Sequence, residues 1–122
     1  MSPEILQVGG VRVLVLTPEG QAVGSEADAL DLLGEALGAG AAWIALPVAR
    51  AAPDVFRLET RLAGAIAQKL VNYGVGLAFV GDLSDPMARS QALRDWAHEC
   101  NRGRQVWFAA DLAELETRLS SL

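Results

Sequence analysis

The chain has 122 residues, of which 52% are hydrophobic and 20% charged, with a formal net charge of −5 and a pI near 4.7. That is the length of one domain, 1–122, with enough chain for a single core. The ten lysines and arginines form no run and the net charge is acidic, so no nucleic-acid partner, which needs a clustered basic face, is expected. The lone cysteine, Cys100, excludes an internal disulfide framework and any multi-cysteine metal site.

Ile5–Val8 and Val11–Leu16 are strand-like runs on either side of Gly9-Gly10. Two glycines in that position predict a hairpin, because the primed turns need positive φ. The second run, VRVLVL, is expected near the centre of the sheet. After a loop over 17–24, Ser25 caps a helix with Asp28 three residues on. Leu30, Leu33 and Leu37 recur at helical spacing and predict its apolar stripe, and Gly38 and Gly40 stop it. WIALPV (43–48) reads as a short buried strand ending at Pro47, or near an edge there.

The spacing of Val55, Leu58, Leu62, Ile66, Leu70 and Tyr73 predicts one long helix from Asp54, with those residues as its buried face. Gly74 and Gly76 end it. The almost wholly apolar run to Gly81 then predicts a strand covered on both faces. Asp85-Pro86 starts a further helix whose inner face is Met87, Leu93, Trp96, Ala97 and Cys100. Gln105–Ala110 is the last strand. Asp111 and Glu114 cap a last helix carrying Leu112, Leu115, Leu119 and Leu122. The fold class is therefore α/β: a single-domain mixed, mostly parallel five-stranded sheet with about four helices in the order ββαβαβαβα.

Ligands of open α/β sheets sit beyond the carboxyl ends of the strands, which makes Arg50, Asp82 and Ser84 candidate pocket residues. Arg50 would hold an anionic group there, with Asp82 and Ser84 fixing orientation. The plain structural role for Asp82 is to cap the following turn. His98 and Cys100 lie two apart on a helix and point about 200° away from each other, so they cannot form a nucleophile–base pair. Asp31 and Glu35 read as a solvated acidic face. Gly24-Ser25 opens a helix whose positive end Glu26 and Asp28 already satisfy. No catalytic constellation, cofactor motif or metal-ligand spacing emerges, so no cofactor is expected. No apolar run approaches the roughly 20 residues of a bilayer-spanning helix. MSPEILQVGG lacks the basic and apolar regions of a secretion signal, so a reducing cytoplasm is expected.

The stretches GSEADALDLLGEA, FRLETRLAGAIAQKLVNY, LAFVGD, ALRDW and ECNRGRQVWF, in that order, resemble the bacterial family of unknown function designated DUF4180, over about residues 8–119. The order of strands and helices also resembles a STAS-type domain, the fold of anti-sigma-factor antagonists. That resemblance implies a phosphorylatable hydroxyl just ahead of the second helix, where Glu59-Thr60-Arg61-Leu62-Ala63-Gly64 stands. Thr60 is the matching hydroxyl, Glu59 replaces the pattern's acid, and Arg61 stands where glycine is expected. The expectation is a STAS-like, non-enzymatic regulatory module that meets a protein partner through Glu59, Thr60, Arg61, Lys69 and Asn72. The alternative is a small-ligand-binding protein or enzyme with its pocket at the strand ends. Homodimerisation through a helix face or the sheet edge is compatible with both.

Overall fold

A computed structural model describes residues 3–122. Strands β1 (Glu4–Val8) and β2 (Val11–Val15) form the hairpin, with Val8 opposite Val11 and Gly9 at φ 58°. Helix α1 (Glu26–Ala39), strand β3 (Trp43–Pro47), helix α2 (Leu62–Val71) and strand β4 (Gly76–Val80) follow. The chain ends with α3 (Ser84–Arg89), α4 (Gln91–Arg102), β5 (Val106–Ala109) and α5 (Leu112–Ser120). The sheet has five strands in the order β1-β2-β3-β4-β5, antiparallel only at β1. The central strand is β3, with its end at Pro47, whereas β2 lies one place in from the edge.

The parallel strands follow one another in sequence order, so right-handed crossovers place every connecting helix on the same face. Leu14, Ile44, Leu46, Leu77, Phe79 and Phe108 point to that face and share one core with α1, α2 and α4. Val13, Trp43, Ala45, Ala78 and Trp107 point to the other, where Leu115 and Leu119 of α5 cover them. A sheet whose order never reverses has no switch-point crevice, the usual ligand site of open α/β folds.

Three helix expectations need correction. The helix after β3 does not start at Asp54. Residues Pro53–Phe56 and Leu58–Thr60 form two 3₁₀ turns, and α2 begins at Leu62. A 3₁₀ turn also places residues three apart on one side, so buried Val55 and half-buried Leu58 imitate α-helical spacing. Arg61, at φ 62°, is the left-handed break between the two geometries. Tyr73, past the end of α2, is 61% exposed rather than buried.

The helix after β4 is two helices, which makes five in all. The chain turns at Ser90, whose hydroxyl caps α4 by accepting from the Leu93 N–H at 3.1 Å. In α1 the buried residues are Ala29, Leu32, Leu33 and Ala36, while Leu30 and Leu37 are 50% and 56% exposed. The stripe Leu30–Leu33–Leu37 continues from Glu26, which pairs with Lys69 of α2 at 3.9 Å. It therefore runs along the flank of α1 that faces α2, and only its middle member is covered.

Candidate functional site

The late start of α2 changes the surroundings of Thr60. The hydroxyl Oγ1 donates its one proton to the carbonyl of Arg57 at 2.7 Å or of Asp54 at 2.8 Å. It also accepts from the Leu62 N–H at 3.3 Å. Thr60 thus fastens the 3₁₀ strap to the first turn of α2, where the N–H groups have no intrahelical acceptors. Arg57 bridges Asp54 and Glu59, each at 3.2 Å, over the same strap. Its guanidinium pKa is raised by the Glu59 hydrogen bond and by the charge of Asp54.

Arg61 occupies the left-handed region, which costs a residue with a side chain roughly 1–2 kcal/mol. Arg61→Gly is expected to stabilise the fold by about 0.5–1 kcal/mol, the glycine's greater unfolded entropy offsetting part of the relief. The denaturation midpoint in urea checks it. A lower midpoint would show that the Arg61 side chain contributes more than the backbone strain removes.

The five residues expected at a partner surface do not form one cluster. Glu59, Thr60 and Arg61 stand at the entrance of α2, while Asn72 is its C-cap, about ten residues or 15 Å along the axis. Lys69 faces α1 through Glu26, and Asn72 accepts from Gln68 Nε2 at 2.7 Å. Beside them stand exposed apolar residues that helical spacing had assigned to the core. Leu30 and Leu37 are two turns apart on α1, and Tyr73 follows the last turn of α2, the helix packed beside it. Those three are among only five large hydrophobic side chains that are exposed among the described residues. The signal available in the sequence was that Glu26 and Leu30 share one flank of α1, as far as a stripe can be a core.

At the strand ends, Arg50 and the pair Asp82–Ser84 occupy separate hollows. Arg50 borders two hollows of ≈ 160 and ≈ 310 Å³ between α1 and the loop before it. It holds that loop with two of its five N–H donors: Nε donates to the Gln21 carbonyl at 2.7 Å and one terminal nitrogen to the Thr17 carbonyl at 3.0 Å. Gly20, at φ 125°, lies so close that a Cβ would sit 2.8 Å from the guanidinium carbon. Glu19, Asp28, Asp31 and Glu35 line the same hollows and oppose an anion there. Arg50 is thus a loop clamp in an acidic setting.

Asp82 leaves β4 and turns back onto its own chain. Its Oδ1 accepts from the Ser84 hydroxyl at 2.6 Å and the Ser84 N–H at 2.9 Å. These bonds, the hydroxyl's first, hold its pKa below the ordinary carboxylate value. Asp82 and Ser84 edge a groove of ≈ 490 Å³ whose lining does not include Arg50.

Other polar groups are likewise satisfied locally. Asp28 accepts from the Gly24 N–H at 2.9 Å while its own N–H donates to Ser25 Oγ at 3.1 Å, which closes the start of α1. Burial pushes the Cys100 thiol up to about 11, with Glu99 adding to the effect, so it carries no thiolate at neutral pH. His98 is exposed on α4. Among the described residues no polar or charged side chain is buried, and no three His, Cys, Asp or Glu side chains converge as metal ligands. No helix among them is long and apolar enough to cross a membrane.

A family model described as a domain of unknown function, DUF4180, matches residues 8–119. No curated protein and no solved structure matches the chain.

Proposed function

The chain belongs to the DUF4180 family, and we propose that it is a non-enzymatic regulatory module that binds a protein partner on the outer surface of α1 and α2. The observation that carries this reading is the exposure of Leu30 and Leu37 on α1 and of Tyr73 just past the end of α2, the helix that packs beside it. Exposed apolar side chains mark an interaction site where they join into one patch, which the packing of α1 beside α2 would allow these three to do. Lys69, Asn72 and the Thr60–Arg61 entrance would supply the polar rim.

We assign the module to the bacterial cytoplasm and give it STAS-like architecture, an argument by analogy of fold. Two features support the analogy. All the crossover helices lie on one face of the sheet. Arg61 also takes left-handed backbone at the position where the resemblance expects glycine. Phosphorylation of Thr60 would add nearly two negative charges and remove the proton it donates to the strap, changing the partner surface at its edge.

The test is capture of partners from the host's lysate by tagged wild-type chain and two variants. Leu30→Glu combined with Leu37→Glu should lose a stoichiometric partner by at least about tenfold, since desolvated apolar anchors carry most interface energy. Thr60→Glu should weaken the same complex. Both positions of the double variant are half-exposed, so the fold is retained, which circular dichroism checks. Equal capture by all three proteins would overturn the reading. A second copy of this chain as the captured partner would make the surface a homodimer interface.

A further inference from the structure

The groove beside Asp82 has a chemistry of its own, independent of the α1–α2 surface. It opens where β4 and β5 end, and three local features border it. Helix α3 stops at Arg89, and the chain turns at Ser90 into α4. Ala97 faces the groove from α4, where a larger side chain would fill it. Asn101 is drawn aside to accept the Phe108 N–H at 2.7 Å. The resulting hollow of ≈ 490 Å³ has more apolar than polar wall, built mainly by Leu83, Met87, Ala97 and Phe108.

The lining holds one ionisable side chain, Asp82, and no base. Oδ1 of Asp82 is taken by Ser84, while Oδ2 has no hydrogen-bond or ion-pair partner among the described residues. The geometry points to this groove as a binding site for a small organic ammonium. Its apolar body would lie against Met87 and Phe108, and its cation would meet Oδ2 of Asp82. Each element of the lining favours that class. Apolar walls reward a hydrophobic body, a flexible thioether packs against an aromatic one, an aromatic ring favours a nearby cation, and a carboxylate makes its strongest hydrogen bond to an N⁺–H group. An anionic ligand would meet a carboxylate and no compensating base.

The probe is phenethylamine, titrated into nitrogen-labelled full chain and followed by amide chemical shifts, with phenethyl alcohol as the neutral analogue. Asp82→Asn keeps an oxygen for Ser84 and removes the charge. Ala110→Leu, at an exposed position of the lining, narrows the groove and leaves the charge in place. Saturable shifts are expected at the amides of Gly81, Asp82, Ser84 and Ala110. The alcohol and the Asp82→Asn variant should each weaken binding by about tenfold or more, and Ala110→Leu should weaken binding of both compounds. Equal affinity for amine and alcohol, no effect of Asp82→Asn, or shifts that do not saturate or map to other elements would overturn the assignment. The Leu30→Glu, Leu37→Glu variant should bind the amine as wild type does, so failure here is distinguishable from failure of the partner surface.

Discussion

Replacing Trp107 by alanine is expected to cost about 3–5 kcal/mol of stability, the range for truncating a buried aromatic side chain. For a domain of this size that is a large share of the total, about 5–15 kcal/mol. Trp107 is 2% exposed and stacks on Trp43 with ring centroids 4.4 Å apart and planes 28° from parallel. The Arg118 guanidinium lies over its other side, 4.3 Å from the centroid. Its indole N–H donates to the Gly103 carbonyl at 2.8 Å, tying the turn before β5 to the sheet. Among the described residues, α5 is the only helix on this face of the sheet, and Trp107 shares a cluster with Leu115 and Leu119, the residues by which α5 is seated. The variant should lose urea midpoint and the near-ultraviolet dichroism of the stacked pair together. A loss under about 1 kcal/mol would mean that α5 repacks freely over the sheet.

Gly76→Ala is expected to destabilise the chain by about 1–3 kcal/mol, the usual cost of forcing extra volume into a packed core. The reason is the neighbouring strand. Trp43 is the parallel register partner of Gly76, and its indole lies flat on the glycine. A Cβ there would sit 2.5 Å from two of the ring atoms. The backbone φ at Gly76 lies outside the left-handed region, so the cost is steric and originates in Trp43. This makes a double-mutant cycle informative. In a Trp43→Leu background, Gly76→Ala should cost less than about 0.5 kcal/mol, because alanine suits a strand better than glycine once the ring is gone. An unchanged cost in that background would place the strain elsewhere.

The two substitutions probe one assembly. Trp43 shields the Gly76 backbone, Trp107 stacks on Trp43, and α5 closes the layer. The sheet face opposite the three crossover helices is therefore held by two large rings and a nine-residue helix. The other edge of the domain is guarded by Asn101, whose side chain accepts the N–H that Phe108 would otherwise offer from edge strand β5. The opposite edge of the sheet is β1, which carries the exposed Ile5.

Those features show where sequence reading reaches. The Gly9-Gly10 hairpin, the doubly covered strand β4 and the caps by Ser25, Ser90 and Asp111 each depend on residues a few positions apart. Two of these caps, and the hairpin, were legible before any contact was known. Helical spacing, by contrast, says that Leu30, Leu33 and Leu37 share a flank and leaves open what covers it. The spacing of Val55, Leu58 and Leu62 suits a 3₁₀ strap followed by a left-handed residue as well as it suits a helix from Asp54.

By itself the sequence determined the fold class, the mostly parallel sheet with one antiparallel strand, and the family, because hydrophobic period, turn glycines and capping residues are local properties. Only the tertiary structure decided that Leu30, Leu37 and Tyr73 remain exposed, that Thr60 stands at the entrance of α2, and that Arg50 and Asp82 serve different hollows. Thr60 is placed by residues at most six positions away, but the others involve partners distant along the chain: Glu26 with Lys69, and Arg50 with the Thr17 and Gln21 carbonyls. Such pairs meet only after the crossovers have packed on the sheet, and no periodicity in the sequence encodes them.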